Sequence, residues 1–355
     1  MKKLLSLALV LILTLALFVG CTTPETPDNG SSNEGTTTGA PSDPGSNTET
    51  PDEPKDDTVV RVAGLNGPTT MGIVKLMADS EEGKAKNKYA FNIYTAATEI
   101  TPLLAKGELD IALIPANLAA NLYNKTDKSL QVLAINTLGV VYVVEKGNSV
   151  NSVADLKGKT IYAPATLKGA APELAFRYIL KSNGLDPDKD VTFEWKSEPT
   201  EIVATLKKAE SGIALVPQPF ATVAAGSVEG LRTVIDVNAE WDKLGTGSAF
   251  ITGVAVVRRE FAEAHPTLIK NFLEEYGASI AYINENTAEA AQLVEKNNIT
   301  KAAVAEKAIP KCNITFIEGA EMKTKVEGFL KVLFDMKPEA VGGAMPGDDF
   351  YYESK

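Results

Sequence analysis

The chain has 355 residues, of which 44% are hydrophobic, enough for more than one buried core. Its formal net charge is −11, which argues against nucleic acid as a partner, because phosphates call for a basic surface. Much of that charge is local: residues 22–57 hold nine acidic residues and one lysine, and the first 20 residues hold two lysines, so the part from Thr58 onward carries only −5.

Lys2 and Lys3 precede an apolar run from Leu4 to Val19, broken only by Ser6 and Thr14. The run is short for a bilayer span of about 20 residues, and it has the charged and apolar regions of a secretory signal. Its end, Leu17-Phe18-Val19-Gly20-Cys21, resembles a bacterial lipobox, with Phe18 where leucine is usual. Residues 1–20 are therefore expected to be a lipoprotein signal peptide, with Cys21 the lipidated first residue of the mature chain. That places the protein outside the cytoplasm, anchored to the outer face of the cytoplasmic membrane. The only other cysteine is Cys312; with Cys21 lipidated, one thiol supports neither a disulfide framework nor a metal cluster, and Cys312 reads as a small core residue. Residues 21–57, rich in Pro, Thr, Ser, Gly, Asn and acids, bury too little apolar surface to offset ordering entropy and are predicted to be a disordered tether.

From Thr58 the pattern alternates. Val59–Ala63 is a predicted strand, and Asn66-Gly67-Pro68-Thr69-Thr70 a loop leading into a helix from Met71 to Asp79. Phe91–Thr95 is a second strand. The segment Thr98–Ala119, TEITPLLAKGELDIALIPANLA, reads as a helix, a buried strand at Ile111–Ile114 and a helix over Asn117–Tyr123. Val132–Leu138 closes the first set.

The second half repeats the order. Lys159–Ala163 is a strand, Pro164–Ala171 a loop, Pro172–Ser182 a helix stopped by Asn183-Gly184, and Val191–Trp195 a strand. Then Thr200–Ala221, TEIVATLKKAESGIALVPQPFA, restates Thr98–Ala119 without a gap: 11 of 22 positions are identical at an offset of 102. Leu231–Asp236 ends this set. Two copies of one βα series predict two α/β lobes, each a mostly parallel sheet flanked by helices.

Two further apolar runs, Val140–Val144 and Ala249–Val257, are placed to carry the chain out of the first lobe and back. After Arg259 the pattern is helical, at Pro266–Tyr282, Thr287–Lys296, Lys301–Ala308 and Ala320–Phe334. The first lobe is thus expected to be discontinuous, residues 58–141 with 252–355, and the second to be 142–251. The C-terminal Phe350-Tyr351-Tyr352 is expected to dock on a lobe.

In open α/β sheets a ligand sits beyond the carboxyl ends of the strands, where loops enter helices. Candidate contacts are Asn66, Gly67, Pro68, Thr69, Thr70, Thr95, Thr98, Pro115 and Asn117 from the first lobe. Thr166, Gly169, Ala170, Gln218 and Phe220 come from the second, with Ser248 at the return crossing. Exposed helix N–H groups and neutral side chains supply the hydrogen bonds. Tyr94, Tyr142, Trp195 and Phe220 are candidate aromatic lining. Glu99 and Glu201 fit first-turn dipole partners better than ligand contacts. Lys168 is the only basic residue of these loops, and all five arginines, Arg61, Arg177, Arg232, Arg258 and Arg259, lie outside them. Catalytic signatures are missing: the single histidine, His265, stands before Pro266 away from every loop, and neither a Gly-x-Ser-x-Gly elbow nor a His-Glu-x-x-His occurs. Gly158-Lys159-Thr160 leads into a strand and reads as a turn rather than a phosphate loop.

With the lobes, the crossings and the exported tether in view, the chain resembles the substrate-binding lipoproteins of ABC importers. GELDIALIP and DLKGKTIYAPATLKGAAPELAFRYIL are similar to the nitrate/sulfonate/taurine/thiamine-precursor branch, and the resemblance covers roughly Val59 to Phe334. It implies a two-lobed periplasmic-binding-protein type II fold joined by two hinge strands and no enzymatic activity. It further implies no cofactor or metal, a small organic or oxyanionic ligand captured by hinge closure, an ABC permease as membrane partner, and a monomer. The cysteine-rich motif that marks thiamine-precursor relatives is missing. The alternatives are a ligand-sensing protein for a membrane receptor and a lyase or transferase on the same scaffold.

Overall fold

Runs of β-branched residues bracketed by glycine, proline and polar turns become strands, and the apolar stripes between them become covering helices. The computed structural model describes residues 56–353; the expected signal peptide, the lipidation site and all but the end of the tether lie outside them. In chain order the first set is β1 (Val59–Leu65), α1 (Pro68–Met71), α2 (Val74–Glu81), β2 (Lys88–Tyr94), α3 (Ala97–Ala105), β3 (Ile111–Pro115), α4 (Ala116–Lys125) and β4 (Leu130–Leu138). The second is β5 (Val141–Lys146), β6 (Lys159–Pro164), α5 (Ala171–Ser182), β7 (Val191–Lys196), α6 (Pro199–Lys208), β8 (Gly212–Pro217), α7 (Phe220–Ser227), β9 (Leu231–Asp236) and α8 (Val237–Asp242). The chain ends with β10 (Ile251–Arg258), α9 (Arg259–Ala264), α10 (Pro266–Glu285), α11 (Thr287–Lys296), α12 (Ala302–Ala308), β11 (Ile314–Ile317) and α13 (Gly319–Met336).

Two sheets result, in the orders β11-β4-β10-β3-β1-β2 and β7-β6-β8-β5-β9. Read from β4 and from β9, their strand orders correspond: β4-β10-β3-β1-β2 against β9-β5-β8-β6-β7. The sequence repeat occupies equivalent places, α3–β3–α4 in one sheet and α6–β8–α7 in the other. β5 and β10, read from sequence as connectors, are interior strands of the sheets they enter, each antiparallel to both neighbours. The crossings themselves are Gly139-Val140 and the segment between α8 and β10.

Four elements escape the sequence pattern, among them the single turn α1, whose Pro68–Thr70 read as loop in the sequence. β11 has four residues, and α8 and α9 six each, too short for a periodic signal; tertiary contacts set them. β11 adds an irregular edge to β4. The terminal aromatics do dock: Tyr351 bridges to Val132 of β4, and Phe350 is fully buried against Tyr123.

Each sheet hides one carboxylate at the end away from the crossings. Asp110 has a fully buried side chain and accepts from the Arg61 backbone N–H at 2.9 Å, from Arg61 Nε at 2.8 Å and from Arg258 at 3.0 Å. Glu145, 2% exposed, accepts from Arg232, Ser149 and Val150. Cys312 is fully buried in the core of the first sheet, and burial pushes its thiol up to about 12. At neutral pH it should resist a thiol reagent in the native chain bearing Cys21→Ser and react at once in urea; fast native labelling would contradict this burial.

Candidate functional site

Both connections between the sheets run at the same ends of the strands. β4 ends at Leu138, and β5 starts at Val141, paired with Pro217 at the carboxyl end of β8. On the return, Gly253 of β10 pairs with Pro115 at the carboxyl end of β3. The carboxyl ends of the parallel strands of both sheets therefore meet at the junction, where α/β sheets hold ligands.

From the first sheet, the β1–α1 loop presents Asn66, exposed, then Gly67 and Pro68, with Pro68 opening α1. Gly67 has φ +145°, a backbone angle that side chains other than glycine's resist. Thr69 is 8% exposed and lies against Gly253. Thr70 is buried, and its hydroxyl donates to the Leu65 carbonyl. Thr95 and Thr98 are exposed, but Thr95 Oγ1 donates to Glu99 at 3.0 Å. The Glu99 carboxylate also accepts from Ala96 N at 2.8 Å, and the Ala96 amide and Thr95 hydroxyl hold its pKa below the ordinary value. Glu99 is thus a helix-start partner, and Glu201 repeats the role on Ser197 N at 3.0 Å. Pro115 caps α4, and Asn117 Nδ2 reaches back to the Ala340 carbonyl at 3.4 Å, anchoring the C-terminal segment.

In the second sheet, Thr166 is exposed in the turn Ala165–Leu167. Gly169, at φ +72°, donates its N–H to Glu173, and Ala170 caps α5. Glu173 is 4% exposed and bound to Arg177 Nε at 2.6 Å, so it fixes this loop and is no free base. Lys168 is exposed over the Trp195 ring at 5.8 Å, and Trp195 stacks on Phe193. Gln218 is buried and joined to Pro219 by a cis peptide; its Oε1 accepts from Thr222 Oγ1 at 2.8 Å. Phe220, half-buried, opens α7. Ser248 Oγ accepts from Trp241 Nε1 at 3.3 Å and packs on Gly328. Tyr142 is 5% exposed, and its hydroxyl donates to the Lys311 carbonyl at 2.7 Å.

The predicted set therefore divides. Asn66, Gly67, Pro68, Thr98, Pro115, Thr166 and Phe220 are at least partly accessible at the strand ends, whereas Thr70, Asn117, Gln218 and Ser248 hold neighbouring backbone or side chains in place. Sequence reasoning missed Asn136, Thr137 and Thr252, at the same end of the strands of the first sheet. Their polar side-chain atoms are buried with no hydrogen-bond partner, both amide atoms of Asn136 included. No local signal distinguishes them from ordinary strand residues.

The electrostatics follow from the arginines. Arg61 and Arg258 grip Asp110, Arg232 grips Glu145, Arg177 holds Glu173 and Asp188, and Arg259 reaches Asp349. All five are paired outside the strand-end loops, which leaves Lys168 as the basic residue of those loops, with Lys337 beside them from the end of α13. The Lys337 ammonium lies 3.5 Å from where a Cβ on Gly169 would stand. Among the described residues no group of His, Cys, Asp or Glu could hold a metal ion.

The family model described as "ABC transporter, phosphonate, periplasmic substrate-binding protein" matches residues 83–308, more than half of the chain. The chain belongs to this family. It is the solute-binding component of an ABC importer, a protein that binds a small-molecule substrate rather than converting it and that works with a membrane permease. Comparison with curated proteins finds no match. Among solved structures, an ABC transporter protein from Parabacteroides distasonis is 24% identical, with a TM-score of 0.69, and the alignment covers 84% of this chain and 100% of that one. The periplasmic aliphatic sulphonate binding protein SsuA from Escherichia coli is 16% identical, with a TM-score of 0.65 over 85% and 94% of the two chains. The alkanesulfonate-binding SsuA from Xanthomonas axonopodis pv. citri, bound to MOPS, is 14% identical, with a TM-score of 0.56 over 83% and 96%. These likenesses show that the binding protein has the two-sheet fold of periplasmic binding proteins. Family membership also implies export, and among the described residues no helix is long and apolar enough to cross a membrane.

Proposed function

We propose that this binding protein is a lipoprotein, cleaved before Cys21 and anchored there, whose residues 21–57 tether a monomeric two-lobed domain within reach of its permease. The lobes are residues 58–141 with 252–355, and residues 142–251. They close on a small organic or oxyanionic ligand held between the loops of Asn66–Thr70, Thr95–Thr98 and Pro115 on one side and Thr166–Ala170 and Gln218–Phe220 on the other. The closed form is what the permease reads. The observation that carries this reading is the register at the junction: Pro115 beside Gly253 and Pro217 beside Val141 bring the two copies of the repeat to one place. The phosphonate of the family's description and the sulphonates of two structural relatives indicate the ligand chemistry to try first.

A thermal-shift screen of alkylphosphonates, alkanesulfonates, nitrate, pyrimidines, aromatic amino acids and polyamines tests it. A true ligand at 100 times its Kd stabilises by about 2.7 kcal/mol. Small-angle scattering with that ligand should show a smaller radius of gyration. Demonstrated binding at an unchanged radius would count against closure, and turnover of the ligand by the purified protein would count against a binding role.

A further inference from the structure

The two sheets are joined unequally on their two sides. On one side a single hydrophobic core runs without a break from Ile114 and Ile135 of the first sheet to Ile161 of the second sheet and Phe176 of α5. α13 lies along it, touching α4 and β4 as well as α5. Phe329 of α13 meets Trp241 at 5.5 Å and Phe250 at 5.9 Å, and all three rings are fully buried. The crossings are packed into the same knot. A Cβ on Gly139 would fall 2.2 Å from the Phe250 ring, and one on Gly328 would fall 2.6 Å from Ser248 Cβ. On the other side there are two separate cores, one under α2, α10, α11 and α12 and one under α6 and α7. There α12 meets α7, and the Tyr142 hydroxyl donates to the Lys311 carbonyl across the gap.

We propose that the α13 side is the fixed pivot of lobe movement, and that the α7–α12 contact with the Tyr142–Lys311 hydrogen bond is a latch that parts and re-forms. Parting the α13 side would bring three large apolar rings into water, a cost that grows with the area exposed. Parting the other side breaks one neutral hydrogen bond, whose ends water can satisfy, and a small contact between helices that keep their own cores. The latch rests on the proposed interlobe closure and adds which side of the domain moves.

Electron–electron distance measurements test it on the chain carrying Cys21→Ser, with Cys312 buried. One spin-label pair goes at Ser227→Cys and Lys307→Cys, across the latch; a second goes at Lys125→Cys and Ser182→Cys, across the pivot. Adding Tyr142→Phe should lengthen and broaden the latch distribution by several ångströms and leave the pivot distribution as it was. An unmoved latch distance, or a pivot distance that moves as much, would overturn the assignment. A chain in which both distances move keeps lobe motion and loses only the pivot, whereas two fixed distances would remove the motion as well. Hydrogen exchange on the unlabelled wild type gives a second reading. Amides of α7 and α12 should exchange through sub-global openings, faster than those of α13; equal protection would contradict the latch.

Discussion

Asp110→Ala is expected to destabilise the domain by about 3 kcal/mol, at the lower end of the range for breaking a buried ion pair. The carboxylate is fully buried, and its removal leaves Arg61 and Arg258 without their shared anion and the Arg61 amide without its acceptor. The figure is not higher because Arg61 is 38% exposed and can regain solvent. Urea denaturation at neutral pH reads it as a lower midpoint, and a loss well below 1 kcal/mol would show that solvent replaces the carboxylate at little cost. The effect depends on pH in a defined direction. Burial alone pushes the Asp110 pKa up, but the hydrogen bonds and charges of Arg61 and Arg258 outweigh it, and the net shift is downward. A carboxylate whose folded pKa is depressed contributes stability that is present above its unfolded value, roughly 3.9, and is lost as pH falls through the folded one. The gap between wild type and Asp110→Asn should therefore be widest near neutrality and narrow below about pH 4.

Phe329→Ala is expected to cost about 3–5 kcal/mol, the range for deleting a fully buried aromatic ring. The ring fills the space between Trp241 and Phe250, so the cavity would open where α13 binds the two crossings together. If that core is the pivot, the variant should lose stability and also broaden the Lys125→Cys/Ser182→Cys distance, which an isolated cavity elsewhere in the first sheet would leave unchanged. Denaturation and the distance measurement together separate the two effects. Phe329→Leu, which keeps most of the volume, should recover most of the stability.

Much of the architecture is legible in the residues. The repeat of Thr98–Ala119 at Thr200–Ala221 announces two similar units, and the apolar runs at Val59–Ala63, Ile111–Ile114, Val132–Leu138 and Lys159–Ala163 all fall within strands. Period and propensity are local properties, so a local reading recovers them. The loops at strand ends follow from the βα order, and the helix-start roles of Glu99 and Glu201 follow from their position in the first turn.

What only the tertiary structure decided is where side chains far apart in sequence meet. The repeat itself illustrates the limit: Asp110 of the first copy aligns with Gly212 of the second, and nothing nearby marks Asp110 as the buried anchor of two arginines, one of them 148 residues away. Thr70, Asn117 and Gln218 look identical in sequence to accessible loop polars. Whether such a group faces a ligand or a carbonyl is set by a partner such as Ala340, 223 residues from Asn117. The unpaired amide of Asn136 and the unequal sides of the junction are likewise products of packing between elements. Composition and periodicity record which surface an element must bury, but not which distant element covers it, and the pairing of α13 with both sheets is information of that second kind.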